Sequence, residues 1–401
     1  MKNETDNKNI DQDAQLAELR EALSQVDREL LELYTKREKM SHDVWEVKKN
    51  MDQVIYVPTQ EETKISRLLK DVPEDQKDRL TSFYRTVFRL SREVQYEDAL
   101  KSEIAWPLGV ELKKAMGRAG QFKTLACQGT VGSYSSQAAQ FIYPDADVIN
   151  IRSFDGAAAQ VAQGNVDAAV LPLENSTAGT IEDVYQLIDS LGLFIVDTID
   201  LNIRHHLAAL PGTKIAQIER VMSHPQALAQ CSAFIRSMGW TTEVIANTAF
   251  AAREVARLGK NNVAAISSEK AATLNGLDVL MSGISNQYVN QTRFAVVTNQ
   301  PVIRPEATHV SLQFSLPHQP GTLGNYLSIF ADLGLNVTKI QSRPIADRPW
   351  EYRFFLEFAG VPVDPAAKRL LLQFASELPE FRFMGWYQEH LPQDVGNGVG
   401  I

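Results

Sequence analysis

In the stretch Asn290-Gln291-Thr292-Arg293-Phe294 a hydroxyl and a guanidinium stand side by side, directly before the apolar run Ala295-Val296-Val297. An anionic substrate calls for both groups: a fixed cation to hold a carboxylate and a neutral proton donor beside it. Three further polar clusters share the setting. Glu174-Asn175-Ser176 follows Val170-Leu171-Pro172-Leu173, Ser223-His224-Pro225-Gln226 leads to Gln230-Cys231, and Gly129-Thr130-Val131-Gly132-Ser133-Tyr134-Ser135 is a glycine-containing turn. In that turn Thr130 and Ser133 offer hydroxyl and backbone donors to an anion. Each cluster lies at the end of a strand-like run, so a rigid element would carry it. The bland alternative is a strand-end Thr beside a surface Arg. Side chains 174, 223 and 292 scattered across unconnected surfaces would end the functional reading.

A second constellation lies near the N-terminus. Leu16, Leu19, Leu23, Val26, Leu30, Leu33, Met40, Val44 and Val47 recur in steps of three and four with one gap, a heptad seam on one helix. From Ala14 to Asn50 that helix would be about 55 Å long at ~1.5 Å per residue. It cannot bury its stripe against a compact monomer, so partner helices and a dimer are expected. Arg37 fills the gap in the seam, where desolvation costs several kcal/mol unless an anion meets it. Arg20 and Lys48 flank the same seam, and three converging cations describe a dicarboxylate pocket. Alternatively Arg20 and Lys48 are solvated flank charges and only Arg37 is unusual.

The elements that must position these groups fall into three parts. Pro58 and Pro73 bound a short helix around Gln60–Lys70, and a third amphipathic helix runs from Glu74 beyond Leu100 with Leu80, Phe83, Val87, Phe88 and Leu90 as core candidates. Met116–Lys123 reads as a linker. From Thr124 to Asn299 strands alternate with helices, including one helix over Pro225–Met238, which argues an α/β unit. A chain return at Thr292 implies two lobes around a cleft. After Pro301 and Pro305 the pattern is β-α-β-β-α-β, closing on Phe381–Tyr387, a ferredoxin-like sandwich. The expected architecture is multidomain: all-α helical over 10–105, α/β two-lobed over 122–300, and α+β ferredoxin-like over 307–388.

In this order and spacing, the four polar clusters resemble prephenate dehydratase over roughly residues 123–298. The resemblance implies a fold like that of periplasmic binding proteins, catalysis between lobes, and conversion of prephenate to phenylpyruvate, water and carbon dioxide without a cofactor or metal. Thr292 would donate a proton to the leaving hydroxyl, with Glu174 its rival for that role. Arg293 would hold a carboxylate or organise the strand end. Asn175, Ser223 and Gln230 would line the cleft, with Thr130, Ser133 and Ser176 contacting prephenate. The N-terminal part is similar to the helical chorismate mutase domain: Leu16 to Arg20 carries its Leu-x-x-Leu-Arg motif, and its later cations fall on Arg37 and Lys48. Those three would clamp the carboxylates and ether oxygen of chorismate. Val57 stands where Asp is usual and Gln60 where Arg is usual, while Glu61 would bond a substrate hydroxyl; Ser91 and Gln95 are one registration of the closing Ser and Gln. The C-terminal part resembles the ACT domain. Its motifs Gly321-Thr322-Leu323 and Gln341-Ser342-Arg343-Pro344 imply phenylalanine bound as an allosteric effector across a subunit interface, with Gln341 in place of the usual Glu. The resemblance implies a bifunctional, feedback-inhibited enzyme, homodimeric or tetrameric. Rival readings are a decayed mutase segment serving dimerisation, and a non-catalytic amino-acid sensor.

Composition narrows the classes further. The 401 residues carry 40 Lys and Arg against 49 Asp and Glu, a net −9, with 44% hydrophobic residues. That balance argues against nucleic-acid binding, which needs a basic face. No run approaches the ~20 apolar residues that span a bilayer. The polar start, Met1 to Asp13, lacks a targeting pattern, which implies a cytoplasmic protein with Cys127 and Cys231 reduced. His205-His206 has no ligand spacing, so no metal site is expected.

Overall fold

A computed structural model describes residues 2–51, 53–102, 105–177, 179–345 and 348–393. In chain order the elements are α1 (Lys2–Asn50), α2 (Pro58–Leu68), α3 (Glu74–Lys101), α4 (Pro107–Met116), β1 (Thr124–Gln128), α5 (Tyr134–Ile142), β2 (Asp147–Ile151), α6 (Phe154–Ala162), β3 (Ala168–Asn175) and β4 (Gly179–Thr180). There follow α7 (Glu182–Ser190), β5 (Phe194–Asn202), β6 (His206–Ala209), β7 (Arg220–Ser223), α8 (Pro225–Gln230), α9 (Ser232–Met238), β8 (Thr241–Val244), α10 (Thr248–Leu258), β9 (Val263–Ser267), α11 (Glu269–Leu274), β10 (Asp278–Met281) and β11 (Gln291–Thr298). The C-terminal set is β12 (His309–Ser315), α12 (Thr322–Asp332), β13 (Val337–Ile345), β14 (Arg348–Ala359), α13 (Pro365–Glu377) and β15 (Arg382–Gln393). Contacts divide the chain into two compact units: residues 1–108 with 319–329 and 368–379, and the remainder.

In the first unit α1 begins at Lys2 rather than near Ala14, since nothing before Ala14 is Gly or Pro. Pro58 sits at the first position of α2, where its missing N–H costs nothing. Ile65, Leu69 and Phe88 form one small core; Trp45, Tyr96 and Ala99 form another with Leu372 of α13. Phe83, expected in the core, is half exposed. Along α1 the seam from Leu16 to Val47 is exposed in the single chain.

The second unit is built on two sheets. One runs β13-β14-β12-β15-β5-β11-β3-β1-β2, and the other β10-β6-β9-β7-β8. The chain crosses from the first to the second after β5 and returns into β11, so β5, β11 and the neighbouring loops hold the two lobes together. Apolar clusters cover both faces of each sheet. The helix expected over 225–238 is broken at Cys231, which places Gln230 at the end of α8.

The C-terminal strands have the antiparallel order of a ferredoxin-like fold, but they do not close on themselves. β15 extends past Tyr387 and pairs in parallel with β5, Gln388 opposite Asp197 and His390 opposite Ile199. Gly385 makes that junction possible: a Cβ there would stand 2.1 Å from the Ile195 carbonyl oxygen.

Candidate functional site

Thr292 of β11 lies opposite Asn175 of β3, and Arg293 opposite Glu174. Successive strand side chains point to opposite faces, so the two pairs part company. On the first face Asn175 donates through Nδ2 to Thr292 Oγ1 at 2.9 Å and to Asn290 Oδ1 at 2.8 Å. Its Oδ1 accepts from the Thr177 amide at 3.1 Å and hydroxyl at 2.6 Å, which fixes the amide's orientation. Gln230 Nε2 reaches across from the other lobe to Thr177 Oγ1 at 2.7 Å, and Gln230 Oε1 accepts from Asn290 Nδ2 at 3.2 Å. His205 Nε2 lies 2.8 Å from that same Oε1. An amide oxygen only accepts, so the imidazole carries its proton on Nε2. Burial, then the neighbouring His206, lowers the His205 pKa, although the Gln230 bond opposes this, and the ring stays neutral.

These groups stand at an interlobe cleft of about 320 Å³ lined by Thr177, Gln226, Gln230, Ser285, Asn286, Gln287 and Asn290. Thr292 is buried just behind that wall, coupled to it through Asn175 and Asn290. The Thr292 oxygen accepts from Asn175, which leaves its own proton free to donate.

Several expected partners are elsewhere. Arg293 is on the opposite face, bonded to Asp200 at 2.9 Å and Glu389 at 2.6 Å and 3.6 Å from the buried Glu357. Glu174 joins Lys339 Nζ at 2.6 Å on that face, so the expectation of Glu174 or Arg293 beside Thr292 is corrected by strand alternation. Ser223 is fully buried, its hydroxyl donating to the Ile266 carbonyl at 2.6 Å, and it ties β7 to β9 rather than lining the cleft. Side chains 174, 223 and 292 therefore do not meet on one face, although 174 and 292 stand at adjacent positions of the β3–β11 pair; the side chains that converge are Thr292, Asn175 and Gln230, linked through Thr177, and they carry the reading instead. Ser133 caps α5, Ser176 accepts from the Gln291 amide, and Thr130 is half-buried in the turn; none lines the cleft. Thr177 was not singled out from sequence, His205 was read only for metal-ligand spacing, and Asn290 headed the Thr292 stretch without a role of its own. Cys127 and Cys231 are free and buried, with burial pushing both thiols up to about 12.

The first unit has its own pocket, about 410 Å³, between α1, α2 and α3. Arg37, Lys48, Gln60, Glu61, Ser91 and Gln95 all line it, as do Lys64 and Arg92. Arg37 Nη1 donates to Ser91 Oγ at 2.6 Å, and Lys48 Nζ to the Ile55 carbonyl at 2.6 Å. Desolvation lowers the pKa of Arg37 and of Lys48, with Glu61 opposing in each case. Arg20 is exposed about 25 Å away along α1, at ~1.5 Å per residue. The single-chain pocket therefore lacks it, because one straight helix cannot fold back on itself. Arg92 was not foreseen; its signal was an Arg one position past Ser91 on an otherwise pocket-forming turn.

Of the C-terminal motifs, Gly321, Thr322 and Leu323 open α12 in the first unit, Gly321 with φ +81°. Gln341 and Arg343 are half-buried on β13 in the second, with Ser342 and Pro344 exposed between and after them.

Family models match three consecutive stretches: chorismate mutase type II over 19–96, prephenate dehydratase over 125–302, and ACT domain over 310–375. The arogenate dehydratase/prephenate dehydratase 2 of Arabidopsis thaliana, a chloroplastic protein, is 36% identical over 275 residues, 66% of this chain and 72% of the relative. A prephenate dehydratase from Arthrobacter aurescens, solved with L-Phe, superposes with a TM-score of 0.60 at 27% identity over 66% of this chain and 89% of that one. GqqA, described as a quorum-quenching acylase, gives a TM-score of 0.60 at 30% identity over 67% and 98% of the two chains. Among the described residues no helix is long and apolar enough to cross a membrane.

Proposed function

Because this chain belongs to the prephenate dehydratase family, with a chorismate mutase segment before that domain and an ACT segment after it, we propose that it rearranges chorismate to prephenate and converts prephenate to phenylpyruvate. The observation that carries the second step is the Asn175–Thr292 bond of 2.9 Å behind the interlobe cleft. Asn175 donates to one of the two Thr292 lone pairs and so orients the hydroxyl, whose proton is available to the departing C4 hydroxyl. As the ring carboxylate leaves as carbon dioxide, its bonding electrons aromatise the ring and expel the C4 hydroxyl, which takes the Thr292 proton and leaves as water; the Thr292 oxygen then regains a proton from solvent. One positioned donor of this kind is worth about 10²–10⁴-fold.

Relatives named for arogenate raise a choice of substrate. Arogenate carries an ammonium where prephenate has a keto group, and an ammonium in a cleft needs an anion. The cleft wall presents amides and hydroxyls and, among the described residues, no carboxylate. That favours prephenate. Purified protein should form phenylpyruvate from prephenate at least tenfold more efficiently than phenylalanine from arogenate; the reverse preference would overturn this substrate assignment. An acylase reading has little residue-level support, since both thiols are buried and His205 is engaged by an amide rather than a nucleophile.

The helical pocket supports the first step. Arg37 and Lys48 would hold chorismate compact and stabilise charge developing on its ether oxygen. A second copy laid along α1 would cover the exposed seam and supply its own Arg20. Phenylalanine is the proposed effector of the ACT segment, supported by the L-Phe complex of the Arthrobacter aurescens relative.

A further inference from the structure

Gln60 leaves the helical pocket without one expected cation, yet the pocket is not short of positive charge. Arg92 lies on its wall. Its Nη1 meets both carboxylate oxygens of Glu61 at 2.7 and 2.6 Å, its Nε donates to Glu377 Oε1 at 2.8 Å, and the ring of Tyr56 lies 4.4 Å from the guanidinium. Glu377 comes from α13, far away in sequence, and its side chain is fully buried. Gln373 Nε2 steadies it at 3.1 Å. We infer that Arg92 supplies the carboxylate-binding cation that Gln60 does not, and that Glu377 is the positioning residue that holds it there.

Two features separate this arrangement from an ordinary structural ion pair. Among the described residues Arg92 Nη2 makes no hydrogen bond, so the guanidinium keeps donors for a ligand at the pocket wall. An Arg placed only for structure would spend its donors on protein groups, because buried polar groups left unpaired are costly. The charge count also fits: Arg37, Lys48, Lys64 and Arg92 face Glu61 with Glu377 behind, a surplus that matches a dicarboxylate. Glu61 remains able to accept from a substrate hydroxyl, since each of its oxygens has a further lone pair.

This inference rests on the mutase reading above, and the experiment separates the two. On the full chain, chorismate consumption and prephenate dehydration are measured side by side. Arg92→Gln should raise the KM for chorismate at least about tenfold, the loss of one charge-assisted carboxylate contact, with prephenate turnover within about twofold of the parent. Adding Gln60→Arg to Arg92→Gln should recover a substantial part of that loss. Glu377→Gln should raise the chorismate KM by a smaller factor with kcat retained, and Glu377→Asp should restore it. A merely structural role would move thermal stability without this KM-against-kcat split. If Arg92→Gln loses both activities through misfolding, the double variant Arg92→Gln with Glu377→Gln decides, since it removes the buried counter-charge together with the cation: a chorismate KM raised at least about tenfold supports the inference and a parental KM overturns it. Parent turnover with an unchanged KM in Arg92→Gln overturns the inference alone. A parent that leaves chorismate untouched overturns the mutase reading and this inference together.

Discussion

The two pockets reach their chemistry by opposite means. The helical pocket is crowded with charge: Arg37, Lys48, Lys64 and Arg92 stand on its wall, and Arg92 is held in place by Glu61 and Glu377. The interlobe cleft is neutral, a chain of amides and hydroxyls from Gln230 through Thr177 and Asn175 to Thr292. A rearrangement with no proton to move gains from fixed charges that select one conformer and stabilise an oxygen. An elimination that needs one proton gains from a donor whose orientation is fixed and whose neighbours carry no competing charge. The cations of the second unit near Thr292 are instead turned to the other sheet face. There Arg293 and Lys339 meet Asp200, Glu389 and Glu174, tying strands of the α/β part to the C-terminal strands.

The sharpest test of that contrast is a crossed pair. Thr292→Ala should lower kcat for prephenate by about 10²–10⁴-fold and leave chorismate turnover intact. Arg37→Ala should lower chorismate turnover by roughly 10²–10³-fold, as for loss of one preorganised donor, and leave prephenate turnover intact. Either substitution abolishing both activities would show that the pockets are not independent. Arg293→Met comes next. It should cost about 3 kcal/mol in chemical denaturation by leaving Glu357 uncompensated, while the KM for prephenate stays within threefold. A large rise in KM with parental stability would return Arg293 to the substrate. Ser223→Ala should cost about 1 kcal/mol through its bond to Ile266 and leave kcat unchanged; a hundredfold kcat loss would put the hydroxyl in the cleft.

The smallest expected effect is acidic. His205, His206 and His224 in the second lobe all have pKa values lowered, first by burial. Their folded values lie below the ordinary ~6.5. The stability they contribute is therefore present above that value and falls away as pH drops through the folded ones. Urea midpoints should be level above pH 7 and decline toward pH 5; a level profile throughout would mean these imidazoles are solvated.

Much of the helical pocket could be read from the chain because helix faces are local. Arg37 and Lys48 share a stripe of α1, Gln60 and Glu61 open α2, and Ser91 and Gln95 are four apart on α3, so spacing alone groups them. Arg92 shows the limit, since its partners are brought by folding from distant positions. In the interlobe site the strand ends were legible, whereas the parting of Thr292 from Arg293 was missed, although alternation is a two-residue rule that puts neighbours on opposite faces. Ser223 was not legible as a buried tie: a serine at a strand end looks the same whether it faces a cleft or a neighbouring carbonyl.

The sequence by itself settled the kinds of element and their order, since turn residues and hydrophobic period act over a few neighbours. It also settled which residues share a helix face. Tertiary structure decided which strand face meets the cleft, that β15 runs on to pair with β5, and that Glu377 reaches Arg92. Those outcomes depend on pairing and packing between segments far apart in the chain, where no local period carries the information.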